Sequence, residues 1–241
     1  MSGHSKWAKL KHTKGATDAK KSAMFAKIGK MITVAAKEAG PDPATNFKLR
    51  LAVEKAKQIN MPKDNVDRAI KKGVGGPGEA QITSVMYEVY LPGGAALLIE
   101  ALTDNTNRAI ASLRRIFNKY GGSLANQNAV AWMFERKGIL RVGYLTKNPD
   151  LEALELKLID WGAEDIKQED GGLAIYCAPD NLQKIKESLE KESLVVDYAE
   201  VEWFAKNYVK ISESDQKKVD AIYAELDEDP DISDYYSNIA V

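Results

Sequence analysis

The chain has 241 residues, 44% hydrophobic and 29% charged, proportions that suit a packed globular protein of one large domain or a few small ones. No run approaches the roughly 18 apolar residues of a membrane span, the first residues lack the apolar core of a secretory signal, and a single cysteine, Cys177, excludes an internal disulfide. The net charge of −1 conceals a polarity: residues 1–76 hold 15 Lys and 2 Arg against 6 Asp or Glu, a balance of +11, while 77–241 carry −12, which points to an acidic partner for the first third and, with one thiol, to the cytoplasm.

Residues 1–16 are basic, rich in small residues and weakly periodic, and read as an arm ordered on binding. A helix is expected from Asp18 to Ala39, burying Met24, Ile28, Met31, Ile32 and Ala35. Lys20, Lys27, Lys30 and Lys37 fall in a sector roughly 100° wide beside that stripe. Gly40-Pro41 stops it. A second helix, 44–59, buries Leu49, Ala52, Val53 and Ala56. A third opens near Pro62, turns Val66, Ala69 and Ile70 inward and Arg68, Lys71 and Lys72 outward, and takes Gly73 as a left-handed cap. Gly73 to Gly78 reads as a linker.

The period then changes to two. Strands are expected over 82–91 and 95–103 around a Pro92-Gly93-Gly94 turn, followed by a helix over 107–120 and a strand over 129–135. Residues 138–204 alternate strand, helix, strand, strand, helix, strand, which is the ferredoxin-like order. A segment at 209–211, a helix near 213–227 and a short strand near 232–239 are left to complete the sheet begun at 82–135. The fold class is therefore α+β, an N-terminal three-helix domain followed by two α/β domains, at least one ferredoxin-like and one inserted into the other. The boundaries are 1–76, 79–136 with 205–241, and 137–204.

The chemistry-bearing residues favour binding over catalysis. Lys6, Trp7, Lys9, Lys11, His12 and Lys14 interleave an aromatic with cations; phosphate attracts mobile ammonium groups and an exposed indole stacks on a base. With Lys20, Lys21, Lys27, Lys30 and Lys37 they form the candidate nucleic-acid-binding set. The bland alternative, a solvated tail whose Trp7 packs on the bundle, weighs as much for the arm alone. Lysine dominance over arginine suits the backbone rather than base edges. The glycines at 73, 75 and 78 match the letter of a dinucleotide fingerprint, but they follow a helix and precede a strand, the wrong context. His4, His12 and Cys177 offer no metal-ligand spacing, so no metal, cofactor or catalytic residue is expected. Cys177 reads as a core thiol and Glu169-Asp170 as a solvated turn. Asp104 to Arg108 reads as a helix cap.

Several stretches are distinctive together: Gly3-His4-Ser5-Lys6-Trp7, Lys11-His12, Asp18-Ala19-Lys20-Lys21, Asn60-Met61-Pro62-Lys63-Asp64-Asn65, Arg68-Ala69-Ile70-Lys71-Lys72-Gly73, Pro92-Gly93-Gly94, Ala101-Leu102-Thr103-Asp104-Asn105 and Val130-Ala131-Trp132-Met133-Phe134. Through them the chain resembles the YebC/PmpR family. Val89 and Leu91 stand where that family commonly has glycines, which argues against an unusually flexible loop there. The resemblance implies three domains and a cytoplasmic protein, described either as a DNA-binding transcriptional regulator or as a translation factor that acts at the ribosome and eases stalls on proline-rich nascent chains.

Three function classes follow. The favoured one is a non-enzymatic regulator whose basic third holds DNA or ribosomal RNA, at the ribosome in the second case. An enzyme with a site between the α/β domains is the rival, weakened by two histidines and one cysteine. A protein-interaction scaffold whose lysines serve solubility is the third.

Overall fold

The computed structural model describes residues 18–75, 82–143, 151–169 and 172–240, with side chains from Lys21 onward. The arm at 1–16, most of the glycine linker and Asp170 lie outside these residues.

The N-terminal helices are α1 (Asp18–Ala39), α2 (Phe47–Gln58) and α3 (Lys63–Val74). Their apolar stripes close on one another: Ile28, Ile32, Ala35 and Ala36 of α1 meet Leu49, Ala52 and Ala56 of α2 and Val66 and Ala69 of α3. Small residues dominate this core, so the helix backbones approach closely. Asn46 caps α2 by accepting the Leu49 N–H at 3.0 Å, and its amide donates to the Ala35 and Gly40 carbonyls at 2.8 Å, fastening the end of α1 to the start of α2. Gly73 is not a left-handed cap. It lies inside α3, where a Cβ would stand 2.4 Å from the Thr33 carbonyl oxygen and 2.8 Å from the Ala36 Cβ. The glycine exists for a helix–helix contact.

The chain divides into two compact units, 1–134 with 205–241, and 135–204. The first joins the helices to a sheet of β1 (Thr83–Tyr90), β2 (Ala96–Thr103), β3 (Ser123–Leu124) and β8 (Ile232–Ser237), in the order β3-β1-β2-β8. Two helices, α4 (Thr106–Tyr120) and α7 (Glu213–Glu228), cover one face. Leu113, Ile116 and Phe117 of α4 and Val219, Ile222 and Leu226 of α7 pack there on Val89, Leu97, Ile99 and Tyr235. The expected strand over 129–135 is a correction: Ala131–Met133 form a 3₁₀ turn, and the strand starts at Phe134.

The second unit holds β4 (Phe134–Gly143), α5 (Leu151–Trp161), β5 (Ala163–Glu169), β6 (Gly172–Cys177), α6 (Leu182–Lys191) and β7 (Val196–Ala205). Its sheet order, β5-β6-β4-β7, is the ferredoxin-like arrangement, with β6 antiparallel to both β4 and β5. Cys177 is fully buried on β6.

Because the Gly73 contact is with backbone, adding a methyl there must part α1 from α3. Gly73→Ala is expected to destabilise the protein by about 1–3 kcal/mol through overpacking, although alanine is the better helix former by about 1 kcal/mol. Denaturant unfolding followed by circular dichroism reads the sign; a more stable variant would refute the packing role.

Candidate nucleic-acid interface

The lysine stripe of α1 divides into two groups with different surroundings. Lys27 donates to the Asp227 carbonyl at 2.8 Å and the Leu226 carbonyl at 3.5 Å. These carbonyls belong to the last turn of α7, which has no basic residue of its own there; a cation from α1 meets the negative end of that helix. Lys30 donates to the Pro230 carbonyl and to Asp231 Oδ1, both at 2.7 Å. The Asp231 side chain is only 3% exposed. It also receives Arg108 Nε and a terminal guanidinium nitrogen, both at 2.8 Å, while Arg108 reaches Asp104 at 2.8 Å. Burial pushes the Asp231 carboxyl up, but the hydrogen bonds from Arg108 and Lys30 outweigh it and hold it at about 2.

Lys27 and Lys30 thus dock α1 on the C-terminal segment 226–231. Lys21 and Lys37 are exposed. Lys20 lies in the first turn of α1, and Lys6, Trp7, Lys9, Lys11, His12 and Lys14 lie outside the described residues.

The helices supply other cations that the α1-centred reading left out of the set. Lys63, Arg68, Lys71 and Lys72 of α3 are exposed, and among the described residues no carboxylate pairs with Arg68, Lys71 or Lys72. Arg68, Lys71 and Lys72 stand at i, i+3 and i+4, on one face. Asp64 and Asp67 precede them on the same helix, and the charged residues of its last turn, Lys71 and Lys72, are both basic. The Thr33 hydroxyl donates to the Ala69 carbonyl at 3.0 Å, and the Gly73 backbone lies against Thr33 and Lys37. That register brings the ends of α1 and α3 together, with Lys37, Lys71 and Lys72 at one end of the pair. The sequence carries this signal too, since its spacing puts Arg68, Lys71 and Lys72 on the outward face of α3.

Elsewhere, Asn105 caps α4 by accepting the Arg108 N–H at 3.0 Å, as the sequence pattern requires. Glu169 is not a solvated turn residue, since it ends β5 and pairs with Arg141 Nε at 2.9 Å. Burial, aided by Glu164, pushes the Cys177 thiol up to about 11, which suits a core thiol and not a nucleophile. Among the described residues no group of three or more His, Cys, Asp or Glu is placed to hold a metal ion, and no helix is long and apolar enough to cross a membrane.

Residues 5–76 match the model of the TACO1/YebC N-terminal domain, and residues 82–239 that of the TACO1/YebC second and third domains. The chain belongs to the TACO1/YebC family. TACO1/YebC relatives include a "probable transcriptional regulatory protein" of Thermotoga maritima, 48% identical over 99% of this chain and 93% of its own length. Another, of Pseudothermotoga lettingae, bears the same description and is 46% identical over the same shares. A solved structure, a conserved hypothetical protein of Aquifex aeolicus, superposes with a TM-score of 0.84 at 38% identity, covering 97% of this chain and 96% of its own. The relatives' names support a regulatory label for the family member described here.

The Asp231 carboxyl lies below its ordinary value of about 3.9, so its contribution is present above about pH 4 and lost as pH falls through about 2. Asp231→Asn is expected to cost about 3 kcal/mol at neutral pH, because it strips a buried charge pair of one partner. Urea unfolding of both proteins across the acid range checks this. Their stabilities should converge towards pH 2; a pH-independent gap would refute the ionic account.

Proposed function

We propose that this TACO1/YebC protein is a non-enzymatic regulator that binds nucleic acid by its phosphates. The observation that carries the reading is the exposed cationic face towards the common end of α1 and α3, Lys37, Arg68, Lys71 and Lys72; the lysine-rich sequence of residues 1–21 adds to the positive charge of this third of the chain. Exposed cationic groups exchange for condensed counterions on a polyanion, which is the main source of sequence-independent affinity. Lys37, Lys71 and Lys72 are point charges with no fixed fork, so they suit backbone contacts more than guanine recognition. The relatives described as transcriptional regulators support DNA as the polymer. The predominance of lysine supports ribosomal RNA equally well, because it asks for no sequence readout.

The reading makes the two groups of lysines behave differently. Lys71→Ala together with Lys72→Ala is expected to reduce the slope of log affinity against log salt by about 2, one per phosphate contact. Lys27→Ala should leave that slope unchanged, since its ammonium already caps α7. Filter binding of the full chain to duplex DNA and to a ribosomal RNA fragment, at several salt concentrations, measures both. Co-sedimentation with ribosomes at near-physiological salt ranks the two polymers. Equal effects of the Lys27 and the Lys71/Lys72 changes would overturn the proposed face.

A further inference from the structure

The connection between β3 and β4, residues 125–133, is organised around a carboxylate that none of the functions above requires. Glu88, in mid-β1, is 6% exposed, and its side chain accepts backbone N–H groups from Asn128 at 2.5 Å, Val130 at 2.6 Å and Ala131 at 2.8 Å. Its own carbonyl accepts the Ala125 N–H at 2.8 Å. Burial drives this carboxyl upward, yet the converging N–H groups of Val130, Ala131 and Asn128 outweigh it and keep it ionised. A buried anion held by backbone dipoles fixes the loop far more firmly than its short, irregular sequence would.

What the loop presents is an indole. Val130 and Phe134 are buried on either side of the 3₁₀ turn, while Trp132 between them is 63% exposed. The single polar atom of the ring, Nε1, donates to the Ala129 carbonyl at 3.0 Å. The edge is therefore satisfied internally, and the apolar ring faces remain. Lys206 tethers the turn from the other strand of the chain: its N–H donates to the Met133 carbonyl and its ammonium to the Trp132 carbonyl, both at 2.9 Å. An exposed ammonium thus sits on the backbone of the turn that carries the indole.

Glu88 also locates the neighbourhood of the ring. On β1, Met86 and Tyr90 lie two residues to either side of it and share its face of the sheet, roughly 7 Å away along the strand. They are 36% and 45% exposed, whereas Ala96 and Leu98, opposite Tyr90 and Glu88 on β2, are buried. Tyr90 and Met86 are thus exposed on the sheet face of the buried carboxylate that anchors the turn bearing the exposed Trp132.

We infer that the Trp132 indole is a stacking platform for an unpaired base of single-stranded nucleic acid. Bases present π-faces that stack on aromatic rings without hydrogen-bond readout, and a neighbouring ammonium serves the adjoining phosphate. A ring whose N–H is already satisfied suits stacking better than it suits edge recognition. The inference rests on the nucleic-acid reading above and adds a second contact, to bases rather than to phosphates.

The test separates the two. The full chain is titrated with a 12-nucleotide oligouridylate, its deoxyribose counterpart and an abasic oligomer of equal length and charge, using wild type, Trp132→Ala, Trp132→Phe and Glu88→Gln. Trp132→Ala should weaken binding of the base-bearing oligomers by roughly 5- to 100-fold and leave the abasic one unchanged. Trp132→Phe should restore most of the loss, and Glu88→Gln should reproduce part of it by loosening the turn. Whichever sugar shows the larger loss identifies the polymer. Equal loss on base-bearing and abasic strands, or no loss on either, sinks the platform while leaving the phosphate face intact. Failure of wild type to bind any of the three removes both.

Discussion

A buried carboxylate, once ionised, has to be matched by cations wherever the chain can supply them, and Asp231 draws on two distant places. Lys30 comes from 201 residues away and Arg108 from 123. Because Lys30 sits on α1, matching Asp231 fixes the N-terminal helices against the C-terminal end of α7 and the start of β8. Lys27 adds the complementary contact to the α7 carbonyls. The close approach at Gly73 then carries the constraint to α3. The direction in which Lys71 and Lys72 face is set by an ion pair that contains neither of them.

Much of this was legible in the residues. The 3.6-residue period gives α1 its bounds, Asp18 to Ala39, and the strand–helix alternation over 138–204 gives the ferredoxin-like order. The misreadings share a physical cause. Periodicity tells which face a side chain occupies but not what that face meets, so Lys27 and Lys30 look identical to Lys37 until the segment 226–231 is placed beside them. The stretch 129–135 has a strand-like alternation, yet the Val130 and Ala131 N–H groups are taken by Glu88, some forty residues back, and those of Ala129 and Met133 by carbonyls of the turn itself, so none of the four is left for a ladder. Gly73 reads as a stop signal because an interhelical contact leaves no local mark.

The candidate site was legible in its chemistry and only partly in its residues. Charge counting places a surplus of cations in the first third of the chain, and it cannot separate paired from unpaired ones. The exposed members sit at the joined ends of α1 and α3 as well as on α1. Trp132 carries no charge, so no count of lysines could have drawn attention to it. Its prominence comes from the contrast between its own exposure and the burial of Val130, Phe134 and Glu88 around it.

The position of β8 has a consequence for synthesis. This strand pairs with β2 through residues 232–237 and covers the free edge of a strand made more than a hundred residues earlier. A chain emerging from its N-terminus exposes the β2 edge, and holds Lys27 and Lys30 without their acceptors, until the segment 226–237 has been made. Through that interval the unfinished sheet is open to pairing with another chain. Closure of the first unit is necessarily a late event in the life of each molecule, coming after the intervening inserted unit has already left the exit tunnel.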